Sequence, residues 1–423
     1  MQSHISRVSL IDMLTFDRPF FEKGINLNSK KKVIFNSSYA LKPLDKLATF
    51  QSGLWKGEKG NLQVVKVLRN TNFKLNNGFL DYSDVAEIDV ETTQLSTRTL
   101  QYGDIILEKS GGSETQAIGR VVLFDKNNNE TYSYSNFCSR IRVLDTNEIN
   151  PLYLWIVLHD FYCKGGTIPL QNGIRLLNID MNGYSKIKIP VPPIDIQKQI
   201  VEEIAKVDKS NSDAKFLIDN NISDIRAIIN SLVSTASIKE YFDINTKVLN
   251  PASCWGNEHF AYVDIDSVGK GDGNISFDKI ILGKDAPSRA RRVAQDRTVI
   301  ISTVRPYLKG FAYIENVPNK TIFSTGFALL RSKNEENYIS KLLYYLFMFS
   351  DDLMKQMETA MPKAAYPSIN KEDIYNFKIP LLSIDEQKRI VAQIEVLESE
   401  ITKARTLTEN AASEKQAILD KYL

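Results

Sequence analysis

The chain has 423 residues, with 53 Lys+Arg against 51 Asp+Glu, three Cys, three His and 43% hydrophobic residues. At roughly 100–200 residues per domain this length predicts two or three domains, and the composition excludes disordered, collagen-like and disulfide-scaffold chains. A net charge of +2 is too small to argue for nucleic acid by itself. The longest apolar run, Leu342–Phe349, falls far short of the ~20 residues that span a bilayer, so no membrane segment is expected. Cys138, Cys163 and Cys254 are widely spaced and read as buried thiols of a reducing cytoplasm rather than bridges or zinc ligands.

Residues 1–39 show no assignable pattern. From residue 40 to 193, short runs bounded by Gly, Asn and Asp predict strands at Leu62–Leu68, Asp104–Leu107, Arg120–Phe124 and Ser139–Leu144. Pro151–Phe161 reads as an apolar helix. Pro193 and Asp195 then suit the start of a long helical segment, 194–236. Its apolar residues Ile200, Ile204, Val207, Ala214, Ile218, Ile222, Ile225, Ile229 and Leu232 form a coiled-coil-like seam, interrupted at Asn211. Residues 237–383 repeat the plan, with strand-like runs at Val299–Thr303 and Thr321–Leu330 and a helical stretch at Tyr338–Met357. The segment 384–423 is a second long helix, with its seam at Ile390, Ile394, Leu397, Ile401, Ala404, Ala411 and Ile418.

The two halves are related in sequence as well as in plan. Ile189–Ile204 (IPVPPIDIQKQIVEEI) aligns without a gap with Ile379–Ile394 (IPLLSIDEQKRIVAQI), at an offset of 190 and with nine of 16 positions identical. Ser135-Asn136-Phe137 corresponds to Ser324-Thr325-Gly326-Phe327. A period this long marks a duplicated domain with its connector, not a solenoid. The expected fold class is α+β, with two β-rich domains in tandem repeat, each followed by a long helix. A single exposed helix of that length, some 50 Å at 1.5 Å per residue, has no core of its own. The two are therefore expected to bury their seams against each other as an antiparallel coiled coil that spaces the domains.

Enzyme signatures are absent: the sequence contains no G-x-x-x-x-G-K-[ST], no HExxH and no GxSxG. No catalytic residue and no metal ligand is assigned. His4, His159 and His259 lack partners at ligand spacing, Asn150-Pro151-Leu152-Tyr153 reads as a helix start, and Gly269–Gly273 reads as a turn between strands. Positive charge is concentrated locally. Residues 286–309 carry a net +5 and Trp55–Lys74 a net +4. Such clusters suit phosphate clamping and base-edge readout, and equally a solvated strand face. The loops Lys164–Thr167 with Gln171–Arg175, and Met361–Ser368, are further candidates.

Together these residues resemble the specificity (S) subunit of a Type I restriction–modification enzyme. The resemblance rests on the twin Ile-Pro-x-x-x-Ile-Asp-x-Gln-Lys-x-Ile-Val boxes, on Ser302-Thr303-Val304-Arg305-Pro306 and on Ser324-Thr325-Gly326-Phe327, and it covers residues from about 40 to 423. It implies target recognition domains over 40–193 and 237–383, each reading half of a split double-stranded DNA site. It implies that the helices 194–236 and 384–423 dock two methyltransferase subunits, joined by two restriction subunits where the system has them. S-adenosylmethionine, ATP and Mg²⁺ would belong to those partners, with no cofactor and no catalysis in this cytoplasmic chain. On this resemblance Lys56, Lys59, Lys109 and Arg175 face DNA in the first half, and Arg289, Arg291, Arg292, Arg305, Lys309 and Lys363 in the second. Gln197, Lys198, Gln387 and Lys388 either meet the methyltransferase or cap the helices. The first half departs from the pattern, with Glu108-Lys109-Ser110-Gly111-Gly112 where the second has Ser-Thr-Val-Arg-Pro. Two other readings stay open: a coiled-coil adaptor with protein-binding heads, and the recognition subunit of a related methyltransferase or nuclease system.

Overall fold

A computed structural model describes residues 14–16, 23–25, 33–55, 60–74, 78–112, 116–173, 176–361 and 367–423. The chain forms two compact units, one of residues 1–210 with 410–423, the other of residues 211–409.

In the first unit an antiparallel sheet has the order Ala48–Ser52, Cys138–Val143, Ile105–Glu108, Val121–Leu123. Strand residues alternate faces. Ile105, Leu107, Val121 and Ile141 meet the helix Pro151–Cys163 through Tyr153, Leu154 and Val157, while Ile106, Val122 and Cys138 pack with Leu68, Tyr132 and Tyr134. Burial on both faces explains why these strands read as continuous apolar runs. A second sheet, ordered Tyr132–Tyr134, Leu62–Leu68, Ala86–Glu91, has its central strand parallel to the first and antiparallel to the last.

The second unit repeats this frame. Its antiparallel sheet has the order Phe242–Ile244, Phe327–Ser332, Thr298–Ser302, Phe311–Ile314, the same connectivity as in the first unit. Its other sheet again has a central strand, His259–Val263, antiparallel to Ile280–Leu282 and parallel to Thr321–Ser324. It then adds an edge strand, Ala290–Arg292, that has no counterpart in the first unit's three-stranded sheet. In both halves the Lys-Ile-Pro of the repeated box is a strand: Lys188–Pro190 pairs with Leu41–Pro43, and Lys378–Pro380 with Ser234–Ser237.

The long helices run from Ile194 to Asn230 and from Ile384 to Tyr422. They pair antiparallel within each unit. In the first, Ile200, Ile204 and Val207 share a core with Ala411, Ile418 and Leu419, and Glu203 accepts from Lys421 (3.0 Å) and Tyr422 (2.7 Å). In the second, Ile225 and Ile229 pack with Ile390, Ile394 and Ile401, and Asn221 donates to Glu400 (2.8 Å). Asn221 is thus a buried polar residue of the seam, whereas Asn211 is half-buried.

Four expectations need correction. The helical segment expected over 194–236 ends at Asn230, and Ser234–Ser237 is a strand paired with Lys378–Pro380. Thr321–Leu330 is two strands, divided at Thr325-Gly326, where the chain crosses between sheets. Tyr338–Met357 is two helices, Ser340–Phe349 and Asp351–Ala360, because Ser350 caps the second by accepting from Leu353 N (3.2 Å). Of the three thiols only Cys138 is buried, its pKa pushed up to about 12 by desolvation, and Cys163 and Cys254 are exposed.

Candidate nucleic-acid interface

The two halves can be superposed by hydrogen-bond register alone. Cys138 pairs with Glu108 at the end of its sheet, and Phe327 pairs with Ser302. Beyond that pair Lys109 N donates to Phe137 O (2.9 Å), as Thr303 N donates to Gly326 O (2.8 Å). Ile179 N then donates to Lys109 O (2.8 Å), as Ile369 N does to Thr303 O (2.9 Å). The segments Glu108–Gly112 and Ser302–Pro306 therefore occupy the same place, as the sequence alignment expects.

In the second unit this place gathers three segments. Thr325 N donates to Arg289 O (2.8 Å), and the Thr303 hydroxyl donates to Gly326 O (2.8 Å), so Arg289, the Thr325 turn and the loop from Thr303 form one edge. Arg289 and Thr325 are exposed. The loop turns through Arg305 (φ 48°) and Lys309 (φ 53°), two left-handed residues without the freedom of glycine. Between them Tyr307 and Leu308 stand exposed. In the first unit the same edge carries Lys109, whose Nζ donates to Ser52 Oγ (3.2 Å), with exposed Asn136 and Phe137.

The predicted cations divide sharply. Arg289, Arg305 and Lys109 lie on these edges, and Arg291 sits beside Arg289, half-buried and bonded to Asn250 Oδ1 (3.3 Å). Arg292 instead turns into the frame. Its Nη1 donates to Asn245 Oδ1 (3.0 Å), which also accepts from Leu329 N (2.9 Å), and burial lowers the guanidinium pKa. Lys309 is likewise drawn inward, donating Nζ to Met348 O (2.7 Å) near the end of the helix Ser340–Phe349, where a cation suits the terminal carbonyls. Desolvation, with Arg226 nearby, lowers its pKa. Both are half-buried and held by acceptors of the protein itself. Lys56, Lys59, Arg175 and Lys363 lie outside the described residues.

The paired glutamines also need reassignment. Gln197 is fully buried, donating Nε2 to Glu148 O (2.9 Å) and Pro192 O (2.8 Å) and accepting from Asn150 N (2.8 Å). Gln387 does the same with Asn337 O (3.0 Å), Leu382 O (3.1 Å) and Ile339 N (2.9 Å). Each staples its long helix to the start of an earlier one, Pro151–Cys163 or Ser340–Phe349, and neither is available to a partner. Tyr153 and Tyr338 complete the motif by donating to Pro190 O (2.9 Å) and Pro380 O (3.0 Å). Lys198 and Lys388, one residue on, are exposed.

Sequence reasoning missed the aromatic members of the edges, Phe137 and Tyr307. Their signal was available, since each sits beside a motif that the repeat had already marked. Among the described residues no cluster of His, Cys, Asp and Glu is placed to hold a metal ion, and no helix is long and apolar enough to cross a membrane.

Known proteins share this arrangement. The type I restriction modification DNA specificity domain matches twice, over residues 46–219 and 233–409. A Methanocaldococcus jannaschii protein bearing the name of the MjaX type I restriction enzyme specificity subunit is 22% identical over 369 residues, covering 79% of this chain and 81% of its own. The MjaVIII type I restriction enzyme specificity subunit of the same organism is 20% identical over 313 residues, covering 67% of this chain and 72% of its own. The crystal structure of the type I restriction–modification S subunit from M. genitalium shares the fold at TM-score 0.56 and 14% identity, over 93% of this chain and 98% of that one. With two matched domains on one repeated frame, each followed by a long helix, the chain belongs to the type I restriction–modification DNA specificity family.

Proposed function

We propose that the chain reads a split duplex DNA site, one half-site per recognition domain, and catalyses no step itself. The observation that carries this reading is the contrast between a repeated frame and unlike edges. Identical register places Lys109, Asn136 and Phe137 in one domain where the other has Thr303, Thr325 and Gly326, with Arg289 alongside. Two different half-sites call for this: phosphate contacts fix orientation and the differing side chains read bases. The long helices set the number of unspecified base pairs between the half-sites. They also dock two methyltransferase subunits, a role supported by the exposed apolar side chains Phe216, Leu217, Val396 and Leu407 beside the helix seam. Restriction subunits join this assembly where the system has them, and it works on cytoplasmic DNA. S-adenosylmethionine, ATP and Mg²⁺ bind to the partners, and the target adenines are flipped into the methyltransferase pockets.

The test is genome-wide adenine methylation in cells carrying the chain with its methyltransferase, compared with a deletion. Appearance of a motif of two short blocks separated by a fixed gap is expected. Unchanged methylation with an active methyltransferase would overturn the reading.

A further inference from the structure

The first recognition domain holds one aromatic ring out to solvent on a rigid bracket. Trp55 is 55% exposed and follows Leu54, which bridges to Ser135 at the base of the Asn136-Phe137 turn. Its backbone is gripped by a single buried side chain: Trp55 N donates to Gln94 Oε1 (3.2 Å), and Gln94 Nε2 donates to Trp55 O (3.3 Å). The ring lies over the Arg98 guanidinium, 4.2 Å from its centroid. Arg98 is only 8% exposed and is fixed by Ser52 O (3.1 Å) and the Thr97 hydroxyl (3.1 Å). Arg140, equally buried, donates Nη1 to Thr97 O (3.0 Å), and its Nε has no partner. Neither forms an ion pair among the described residues, whereas Arg120 and Arg142 pair with Glu108 and Asp104. A further cation, Lys109, reaches the same Ser52.

A tryptophan that served only to cover Arg98 would bury its ring in doing so. This one keeps more than half its surface in water while its backbone and one face are immobilised, so it is ordered before anything binds. Arg98 beneath it, and Arg140, which shares Thr97 with Arg98, have no carboxylate partner among the described residues, and Arg140 Nε has no hydrogen bond; a DNA backbone supplies the missing anion. We propose that Trp55 is a DNA-contact residue of the first recognition domain, seating its indole against the sugars and bases of that domain's half-site. This rests on the reading of the chain as a DNA-recognition subunit.

The complex of the full chain with its methyltransferase would be used to select bound sequences from a pool of random duplexes. The native complex is expected to enrich a motif of two blocks. Trp55→Ala is expected to weaken selection of one block about tenfold and leave the other intact, as for loss of one aromatic anchor, with Trp55→Phe in between. Iodide quenching of the exposed indole should fall when the selected duplex is added to the native complex, a readout that needs no variant to fold. Two blocks enriched by Trp55→Ala as strongly as by the native complex would overturn the role of Trp55 and leave DNA recognition standing. Loss of both blocks together with loss of the methyltransferase would place Trp55 at a subunit contact and also overturn it. Failure of the native complex to enrich any sequence would overturn both.

Discussion

At equivalent positions beside the candidate interface, the two recognition domains solve one packing problem with opposite chemistry. In the first, Glu108 and Arg120 form a buried two-pronged ion pair, Nε to Oε2 and Nη2 to Oε1 at 2.8 Å each, with Arg120 also reaching the carbonyls of Asn70 and Phe73. In the second, the same register places Ser302 opposite Gly310, a hydroxyl and a bare backbone. The difference shows that the frame tolerates a large charged pair or almost nothing at the root of the loop proposed to face DNA. What the frame requires is the ladder. What sits on it is free to diverge with the sequence to be read.

The sharpest way to break this comparison is to remove half of the ion pair. Glu108→Ala should destabilise the first domain by about 3–5 kcal/mol, since it strands a buried guanidinium, while Ser302→Ala in the second should cost no more than about 1 kcal/mol. Denaturant unfolding measures both, and similar losses at the two sites would refute the asymmetry. The double change Glu108→Ser with Arg120→Gly, borrowing the second domain's solution, should recover much of the loss. Next in size come the staples, where the halves should agree. Gln197→Leu and Gln387→Leu each leave a buried N–H and two carbonyls unpaired, and each should cost about 2–4 kcal/mol. A gap between them larger than about 1 kcal/mol would mean that the repeated motif is not equivalent in energy.

A pH dependence should belong to the first domain. Burial, with the Lys415 ammonium nearby, lowers the His159 pKa from 6.5 to about 4. The unfolded chain takes up this proton first. Stability is therefore full above pH 6.5 and falls as the pH drops toward 4, by up to about 3 kcal/mol. Thermal melts of native protein and His159→Phe should diverge in that window, and parallel curves would remove His159 as the cause. Smallest is the effect of single edge cations. Arg289→Ala and Lys109→Ala should each weaken DNA binding by about tenfold or less and lower the salt slope by about one. Arg292→Lys, which keeps an inward-facing cation, should leave the salt slope unchanged in titrations of the complex.

Much of this architecture is written in periodicity. The repeated box, the helical seams and the strand Leu62–Leu68 follow from spacing alone. Pattern and structure part where a polar side chain faces inward. Gln197 lies three residues before Ile200 and seven before Ile204, so helix phase already puts it on the buried stripe, and its polarity alone suggested a surface. Arg292 and Lys309 read as surface charge in the sequence because no pattern of residue types reveals an acceptor such as Met348 O, 39 positions from Lys309. The break at Ser350 was legible, for a serine followed by Asp351 and Asp352 is a helix start.

One hydrogen bond of the first unit joins the end of the second long helix to the segment ahead of the first domain's opening strand. Ser38 N donates to Leu423 O (2.8 Å), just ahead of the strand Leu41–Pro43, much as Asn230 ends the first long helix just ahead of the strand Ser234–Ser237. The first domain's opening strand thus takes from a hydrogen bond the neighbour that the second domain's opening strand takes from the covalent chain, and fraying of the last helical turn should loosen Leu41–Pro43 while leaving Ser234–Ser237 in place.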